Sequence, residues 1–282
     1  MFARDQYELL DFGRGRKLER FGRYLVDRPC PTAEDETPQL SRDAWAQADA
    51  RYEREEGRAG RWQQQKALDD DWRVGSDGLL FRLRLTESGQ VGIFPEQQEN
   101  WKWILGQVAA APKPAKVLNL FAYTGGSTLA AAAAGAEVVH IDASKTAVAW
   151  ARQNAELSGL SAAPIRWIVE DVCTFVEREI RRGNKYHGVI LDPPTYGHGP
   201  QGESWQIETH LGALLDCLPA LTTGSAFLVI TSHWPQLSAP LLRHRLRLIL
   251  RTDKVVADDM HLRSSASGVL WSGVAARYSP LL

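Results

Sequence analysis

The chain has 282 residues, with 33 Lys and Arg against 34 Asp and Glu and a formal net charge of -1. That length permits one large or two modest domains, and the balanced charge excludes a protein held to nucleic acid by its overall field, so such a partner needs a local basic patch. Three cysteines without close spacing, Cys30, Cys173 and Cys217, exclude a zinc ribbon or disulfide framework and fit a reducing, cytoplasmic compartment; no apolar run reaches membrane-spanning length, and the N-terminus lacks the apolar core of a signal peptide.

Residues 6 to 28 read as a β-hairpin around Gly13-Arg-Gly15, with Tyr7 to Asp11 before the turn and Tyr24 to Asp27 before Pro29. Arg14, Arg16, Lys17, Arg20 and Arg23 crowd this segment. They suit an edge strand blunted by charge, and equally a contact for a polyanion. A loop follows from Pro31 to Pro38. Asp43 to Glu56 predicts a charged helix, with Glu53, Glu55 and Glu56 beside Arg51 and Arg54, ended by Gly57 and Gly60. From Leu79 to Thr86 apolar residues alternate at period two, Glu87-Ser-Gly89 turns, and Val91 to Phe94 returns. Pro95 then opens a helix that runs to about Ala110.

The chain is organised around residues 116 to 142. Val117 to Phe121 is a short apolar run that stops at a turn with adjacent glycines, Gly125 and Gly126; a helix from about Ser127 to Ala134 follows, and Val138 to Asp142 is a second apolar run ending on an acid. This is the form of strand, glycine turn, helix, strand and acid that makes a nucleotide-binding unit. The acid is placed to accept from both ribose hydroxyls. A pyrophosphate site wants Gly-x-Gly-x-x-Gly, whereas this turn reads Ala122-Tyr-Thr-Gly-Gly-Ser127. Tyr123 occupies the place where open amides are needed, which favours a nucleoside without phosphates such as S-adenosylmethionine. The turn alone also suits any α/β protein.

Strand and helix then alternate. Ser144 caps a helix reaching Ser158, Ile165 to Val169 is a strand, and Thr174-Phe-Val-Glu177 reads as a capping box. Tyr186 to Leu191 is a strand, Ser204 to Leu218 a helix, Ala226 to Thr231 a strand, and Leu237 to Leu250 a helix with Arg243, Arg245, Arg247 and Arg251 on one side. Val256 to His261 and Val269 to Ala276 end the chain. The expected fold is α/β: a doubly wound seven-stranded sheet finishing in an antiparallel hairpin, with a small β-rich N-terminal domain. The expected domains are 1–90 and 91–282.

In such a sheet the ligand lies at the carboxyl ends of the strands. Those ends carry Asn119 to Tyr123, Asp142, Asp171 and Asp192-Pro-Pro-Thr-Tyr196. Asp171 can accept from an adenine amine, with Ala143 and Val172 against the ring; an acid in this position is also a common helix cap. The paired prolines force the chain out of the sheet, which exposes the Asp192 carboxylate and the Pro193 carbonyl as acceptors. Tyr196 can stack on a planar base, and Gly197 to Gly202 reads as a flexible lid.

Residues from about 92 to the end resemble class I S-adenosylmethionine-dependent methyltransferases, and within them the large-subunit ribosomal RNA enzymes acting at cytosine C5 or guanine N7. The matching pieces are Gly92-Ile-Phe-Pro-Glu-Gln97, Val117 to Gly126, Ala151-Arg-Gln-Asn154 and Asp192-Pro-Pro-Thr-Tyr196. The resemblance implies that Phe94 and Gln97 close one side of the cofactor site. It implies Asn119, Phe121, Tyr123 and Gly125 around the methionine part, Asp142, Ala143 and Ser144 at the ribose, Asn154 as a support behind them, and Asp171 at the adenine.

Cytosine C5 transfer needs a cysteine to add to C6. Relatives that use one carry it just after the fifth strand, where this chain reads Val229-Ile-Thr-Ser-His233. The expected function is therefore methyl transfer to a nitrogen of an RNA base, with Asp192, Pro193, Tyr196 and His233 at the acceptor and no metal. His233 takes the proton or merely satisfies a strand-end hydrogen bond. Transfer to a small molecule or protein is the alternative, and a non-catalytic cofactor-binding protein a second. The segment before residue 92 matches no RNA-binding module of those relatives.

Overall fold

A computed structural model describes residues 2 to 54, 60 to 266 and 268 to 280. The chain divides into two compact units: one of Met1–Gln98 with His261–Ser272, the other of Glu99–Met260 with Gly273–Leu282.

The first unit holds β1 (Tyr7–Gly13), β2 (Arg16–Phe21), β3 (Tyr24–Pro29), the single-turn helix α1 (Arg42–Trp45), β4 (Ala50–Glu53), β5 (Arg61–Gln64), β6 (Arg73–Ser76) and β7 (Leu79–Arg82). β1 to β5 form one sheet in sequence order, and β6 pairs β7 in a hairpin. The expected hairpin of residues 6 to 28 is a three-stranded meander. The charged middle stretch is itself a strand, because Leu18 and Phe21 are buried while its ionic groups find partners: Arg16 with Asp27, Lys17 with Glu19, Arg20 with Glu8. At its core Arg28 and Glu19 pair with almost no exposure, and Tyr7 donates to the same carboxylate at 2.9 Å. Burial alone would raise Glu19, but Arg28 and Lys17 hold it at about 2.

The helix expected over Asp43 to Glu56 is one turn long. Ser41 caps α1, accepting from the Ala44 N–H, and the Trp45 indole then donates to Asp11 at 2.9 Å. Ala50–Glu53 is a strand, since Ala50 and Tyr52 bury one face at period two against β3 and β5. Glu55, Glu56 and Gly57 lie outside the described residues. The alternating Leu79 to Leu85 stretch is a strand only to Arg82, and its partner, Arg73–Ser76, carries too little apolar sequence to be recognised.

The second unit begins with α2 (Gln98–Ala110), then β8 (Lys116–Leu120), α3 (Gly126–Ala133), β9 (Glu137–Asp142), α4 (Lys145–Leu157), β10 (Ile165–Val169), α5 (Val172–Arg181) and β11 (Tyr186–Leu191). There follow β12 (Tyr196–His198), β13 (Ser204–Gln206), α6 (Ile207–Asp216), α7 (Leu218–Leu221), β14 (Thr222–Ser232), α8 (Ala239–Leu250), β15 (Val255–Arg263), whose residues from His261 on belong to the first unit, and β16 (Val269–Tyr278), whose residues up to Ser272 do so too. The seven-stranded sheet has the order β10-β9-β8-β11-β14-β16-β15. Its first five strands are parallel and β16 runs antiparallel to β14. This is the expected doubly wound, Rossmann-like architecture. β8 to β10 build outward in one direction and β11 onward in the other, so the order reverses between β8 and β11. Ligands of such sheets lie outside the carboxyl ends at that reversal.

Two details differ from expectation. The cap of α5 lies three residues before the expected one: Asp171, not Thr174, caps it, accepting from the Thr174 N–H at 2.8 Å. Ser204–Gln206 is a strand paired with Tyr196–His198, so Gly197 to Gly202 belong to a hairpin, and α6 begins only at Ile207. Among the described residues no helix is long and apolar enough to cross a membrane.

Candidate active site

The turn after β8 is built by backbone conformation. Phe121 and Tyr123 have φ of 56° and 48°, a region that L-residues enter at a cost, and Gly125 has φ of 92° as the cap of α3. Three contacts hold this shape. The Tyr123 N–H donates to Asp142 Oδ2 at 2.8 Å, Asn154 Nδ2 from α4 donates to the Thr124 carbonyl at 2.9 Å, and the Ala122 N–H donates to Ile141 O at 2.9 Å. Asn154 is fully buried, so losing that bond would strand a polar group. Gly126 is required by space: a Cβ there would sit 2.5 Å from the buried Trp101 ring.

Asp142 ends β9 with both oxygens engaged. Oδ1 accepts from the Ser144 N–H at 2.8 Å, opposite the Tyr123 bond on Oδ2. Burial raises its pKa; the two backbone N–H groups oppose this. A carboxylate oxygen has two lone pairs, so each can still accept one hydroxyl. Asp142 thus fits a vicinal diol, the group a ribose presents. Ala143 is half-buried and Ser144, exposed, caps α4 by accepting from the Ala147 N–H.

Asn119, on the inner part of β8, is 2% exposed. Its Nδ2 donates to Thr128 Oγ1 at 2.9 Å, which lies 2.9 Å from His140 Nδ1 on β9. Thr128 has one hydroxyl proton. Accepting from Asn119, it can either donate to a neutral His140 ring or accept a second bond from the ring N–H. Burial, then Arg152, lowers His140 to about 3, in agreement with a neutral ring. Asp171 has Oδ1 committed to its cap, leaving Oδ2 as the oxygen suited to an adenine amine, and Val172 beside it is buried.

At the adjacent ends of β11 and β14, Thr231 Oγ1 donates to Asp192 Oδ1 at 2.6 Å and His233 Nε2 stands 3.7 Å from the same oxygen. Gly273 on β16 makes room for this corner: a Cβ there would lie 2.6 Å from the Ser232 carbonyl and 3.2 Å from His233 Nδ1. Pro193 is buried. Trp205 on β13 ties the loop to the β8 turn. Its Nε1 donates to the Pro194 carbonyl at 2.7 Å and its ring packs 4.7 Å from Phe121. Tyr196, 55% exposed, meets His198 edge-on with its hydroxyl 3.0 Å from Nε2.

The second unit therefore brings together Asn119, Phe121, Tyr123, Gly125, Asp142, Ala143, Ser144, Asn154, Asp171, Val172, Asp192, Pro193, Tyr196 and His233 on the carboxyl-end loops of its central strands, or directly behind them. Phe94 and Gln97 belong to the first unit, where the buried Gln97 N–H donates to the Phe94 carbonyl at 3.1 Å. Sequence reasoning missed Thr128, His140, Thr231, Trp205 and Gly273. Only a polar residue inside an alanine-rich helix, Thr128, and a histidine inside an apolar strand, His140, signalled themselves.

The family description for S-adenosylmethionine-dependent methyltransferases matches residues 38–244, and the chain belongs to that family. It is similar to the S-adenosylmethionine-dependent methyltransferase of Agrobacterium tumefaciens, with 39% identity, a TM-score of 0.90, and coverage of 98% of this chain and 90% of that one. It is 33% identical over 158 residues to ribosomal RNA large subunit methyltransferase K/L of Shewanella frigidimarina, covering 55% of this chain and 21% of that protein. With ribosomal RNA large subunit methyltransferase I of Aeromonas salmonicida it shares 33% identity over 124 residues, 44% of this chain and 30% of that protein. The chain thus spans less than a third of the length of either curated relative.

Proposed function

We propose that this chain transfers the methyl group of S-adenosylmethionine to a nitrogen of an RNA base. The donor, when bound, brings a methyl group already activated on a sulfonium, so the protein's work is alignment and proton handling. Asp142 would take the ribose, the Phe121 to Gly125 turn the methionine part, and Asp171 with Ala143 and Val172 the adenine. Phe94 and Gln97 are carried over from the family pattern. In this reading residues 91–282 carry the donor chemistry and 1–90 form a separate β-rich domain.

The observation that carries the acceptor reading is the Asp192–Thr231–His233 corner. Thr231 fixes one Asp192 oxygen, which leaves the carboxylate oriented to accept from an amino or ring N–H together with the Pro193 carbonyl. His233 stands close enough to take a proton relayed from that oxygen. Thiol chemistry has no support here. Burial and nearby acids push Cys173, within α5, up to about 11, burial likewise raises Cys217, between α6 and α7, and Cys30 is buried in the first unit. Tyr196 offers an exposed ring for stacking. RNA as the substrate class rests on the names of the curated relatives. The free cysteines suit the cytoplasm, where RNA of this kind is available.

The test supplies the purified chain with radiolabelled S-adenosylmethionine and RNA from a strain lacking the gene. Label in RNA, lost with Asp192→Ala, supports the proposal; label only in protein or small molecules overturns it.

A further inference from the structure

The basic stretch that drew attention in the sequence is dismantled by the fold, and another is assembled in its place. Arg16, Lys17, Arg20 and Arg23 each pair with an acid. Arg14 is exposed and makes no side-chain ion pair among the described residues. Beside it in the first unit opens a cavity of about 370 Å³, lined by Arg14 and Arg16 at the first turn of the meander, Asp27 on β3, Arg42 and Trp45 on α1, and Arg51 on β4. Arg42 is exposed and, like Arg14, makes no ion pair among the described residues.

Four arginines against one lining acid make this cavity locally cationic in a chain of net charge -1. Arg16 is spent: its Nε donates to Asp27 Oδ1 at 2.6 Å and its Nη2 to the Tyr52 carbonyl at 2.9 Å. Arg51 leans on Glu53 and stands 3.5 Å from Asp27 Oδ2. That leaves Arg14 and Arg42 as the groups able to take an anion from solution. Trp45 supplies a flat apolar wall, and its bond to Asp11 fixes the ring's orientation. The Asp27 carboxylate is fully buried and its charge is used inside the protein, Oδ1 on Arg16 and Oδ2 facing Arg51 Nε at 3.5 Å.

Two arginines without ion pairs and a fixed indole lining one cavity match the phosphate and the ring of a nucleotide. We propose that this cavity is a subsite for a nucleotide of a single-stranded RNA segment. Arg14 and Arg42 hold phosphates and the base stacks on Trp45. The subsite deepens the RNA reading above and rests on it, but it is tested by binding alone.

The test is fluorescence anisotropy of a labelled single-stranded RNA oligonucleotide on the full chain, without methyl donor, over a range of salt. The double variant Arg14→Ala, Arg42→Ala should bind at least tenfold more weakly. Its plot of log affinity against log salt should be shallower by about 1.4, the value for two lost phosphate contacts on a single strand. Both side chains are exposed and unpaired, so the fold and the thermal shift with S-adenosylhomocysteine should be unaltered. Adenosine monophosphate should compete only at far higher concentration than the strand. Equal affinity of variant and wild type, or mononucleotide binding as tight as the strand, would overturn the subsite. Loss of RNA binding in the variant while RNA takes up no methyl label would leave the subsite standing and remove the proposed reaction.

Discussion

The backbone N–H of Tyr123 and the carboxylate of Asp142 meet at 2.8 Å, and this bond joins the turn after β8 to the tip of β9. One acid thereby supports the left-handed Tyr123 and, in the proposed function, would turn its remaining lone pairs to a ribose.

Asp142→Ala should therefore weaken S-adenosylhomocysteine by at least tenfold in isothermal titration calorimetry, since two charge-assisted bonds are lost, each worth about 1.5–3 kcal/mol. The stability of the free protein should change much less than that. Burial raises the Asp142 pKa, so its charge costs stability at neutral pH, and removing it offsets the lost bonds to Tyr123 and Ser144. A variant that keeps wild-type affinity would remove Asp142 from the site.

Thr128→Val keeps the shape but breaks the Asn119–Thr128–His140 chain. The fully buried His140 and the almost fully buried Asn119 would each lose a partner, at about 1–3 kcal/mol each. Urea denaturation should show a lower midpoint with an unchanged slope. An unchanged midpoint would mean that the chain carries no stability.

The pH dependence has a definite sign. His140 titrates near 3 when folded and near its ordinary value of 6.5 when unfolded. The unfolded chain therefore binds the proton first. The His140 contribution is complete above pH 6.5 and is lost progressively as pH falls toward 3, at a slope of about 1.4 kcal/mol per pH unit. His140→Gln should flatten this part of a stability-against-pH curve measured by chemical denaturation. An identical slope in the variant would contradict the assignment.

Two glycines should respond in opposite directions. Gly126→Ala drives a methyl into the Trp101 ring and should cost about 1–3 kcal/mol. Gly106→Ala, in the middle of α2 with nothing within 4 Å of the added carbon, should gain about 0.5–1 kcal/mol. Melting temperatures of the two variants test this.

The second unit was the legible part of the chain because its signals are local. Apolar runs such as Ile165–Val169 and Tyr186–Leu191 end at acids or prolines, and helix caps such as Ser144 sit where chemistry alone places them. The first unit was hard to read because its elements depend on distant partners. Ala50–Glu53 looks helical until β3 and β5 lie beside it, and Arg16–Phe21 reads as a charge-blunted edge, whereas it lies between β1 and β3 with Asp27, Glu19 and Glu8 neutralising it. At the site the carboxylates announced themselves, and Thr128 and His140 stood out as polar residues in apolar segments, whereas Thr231, Trp205 and Gly273 did not. Those three act through hydrogen bonds and clearances between segments distant in sequence, which no spacing encodes.

The Asp192–Thr231–His233 corner, with no activated thiol at the neighbouring strand ends among the described residues, makes the methylated atom the sharpest question. RNA from a strain lacking the gene, treated with the purified chain and S-adenosylmethionine, should be digested to nucleosides and separated by liquid chromatography with mass detection. The account predicts a nucleoside carrying the new methyl group on nitrogen, absent when Asp192→Ala replaces the wild type; new 5-methylcytidine would contradict it.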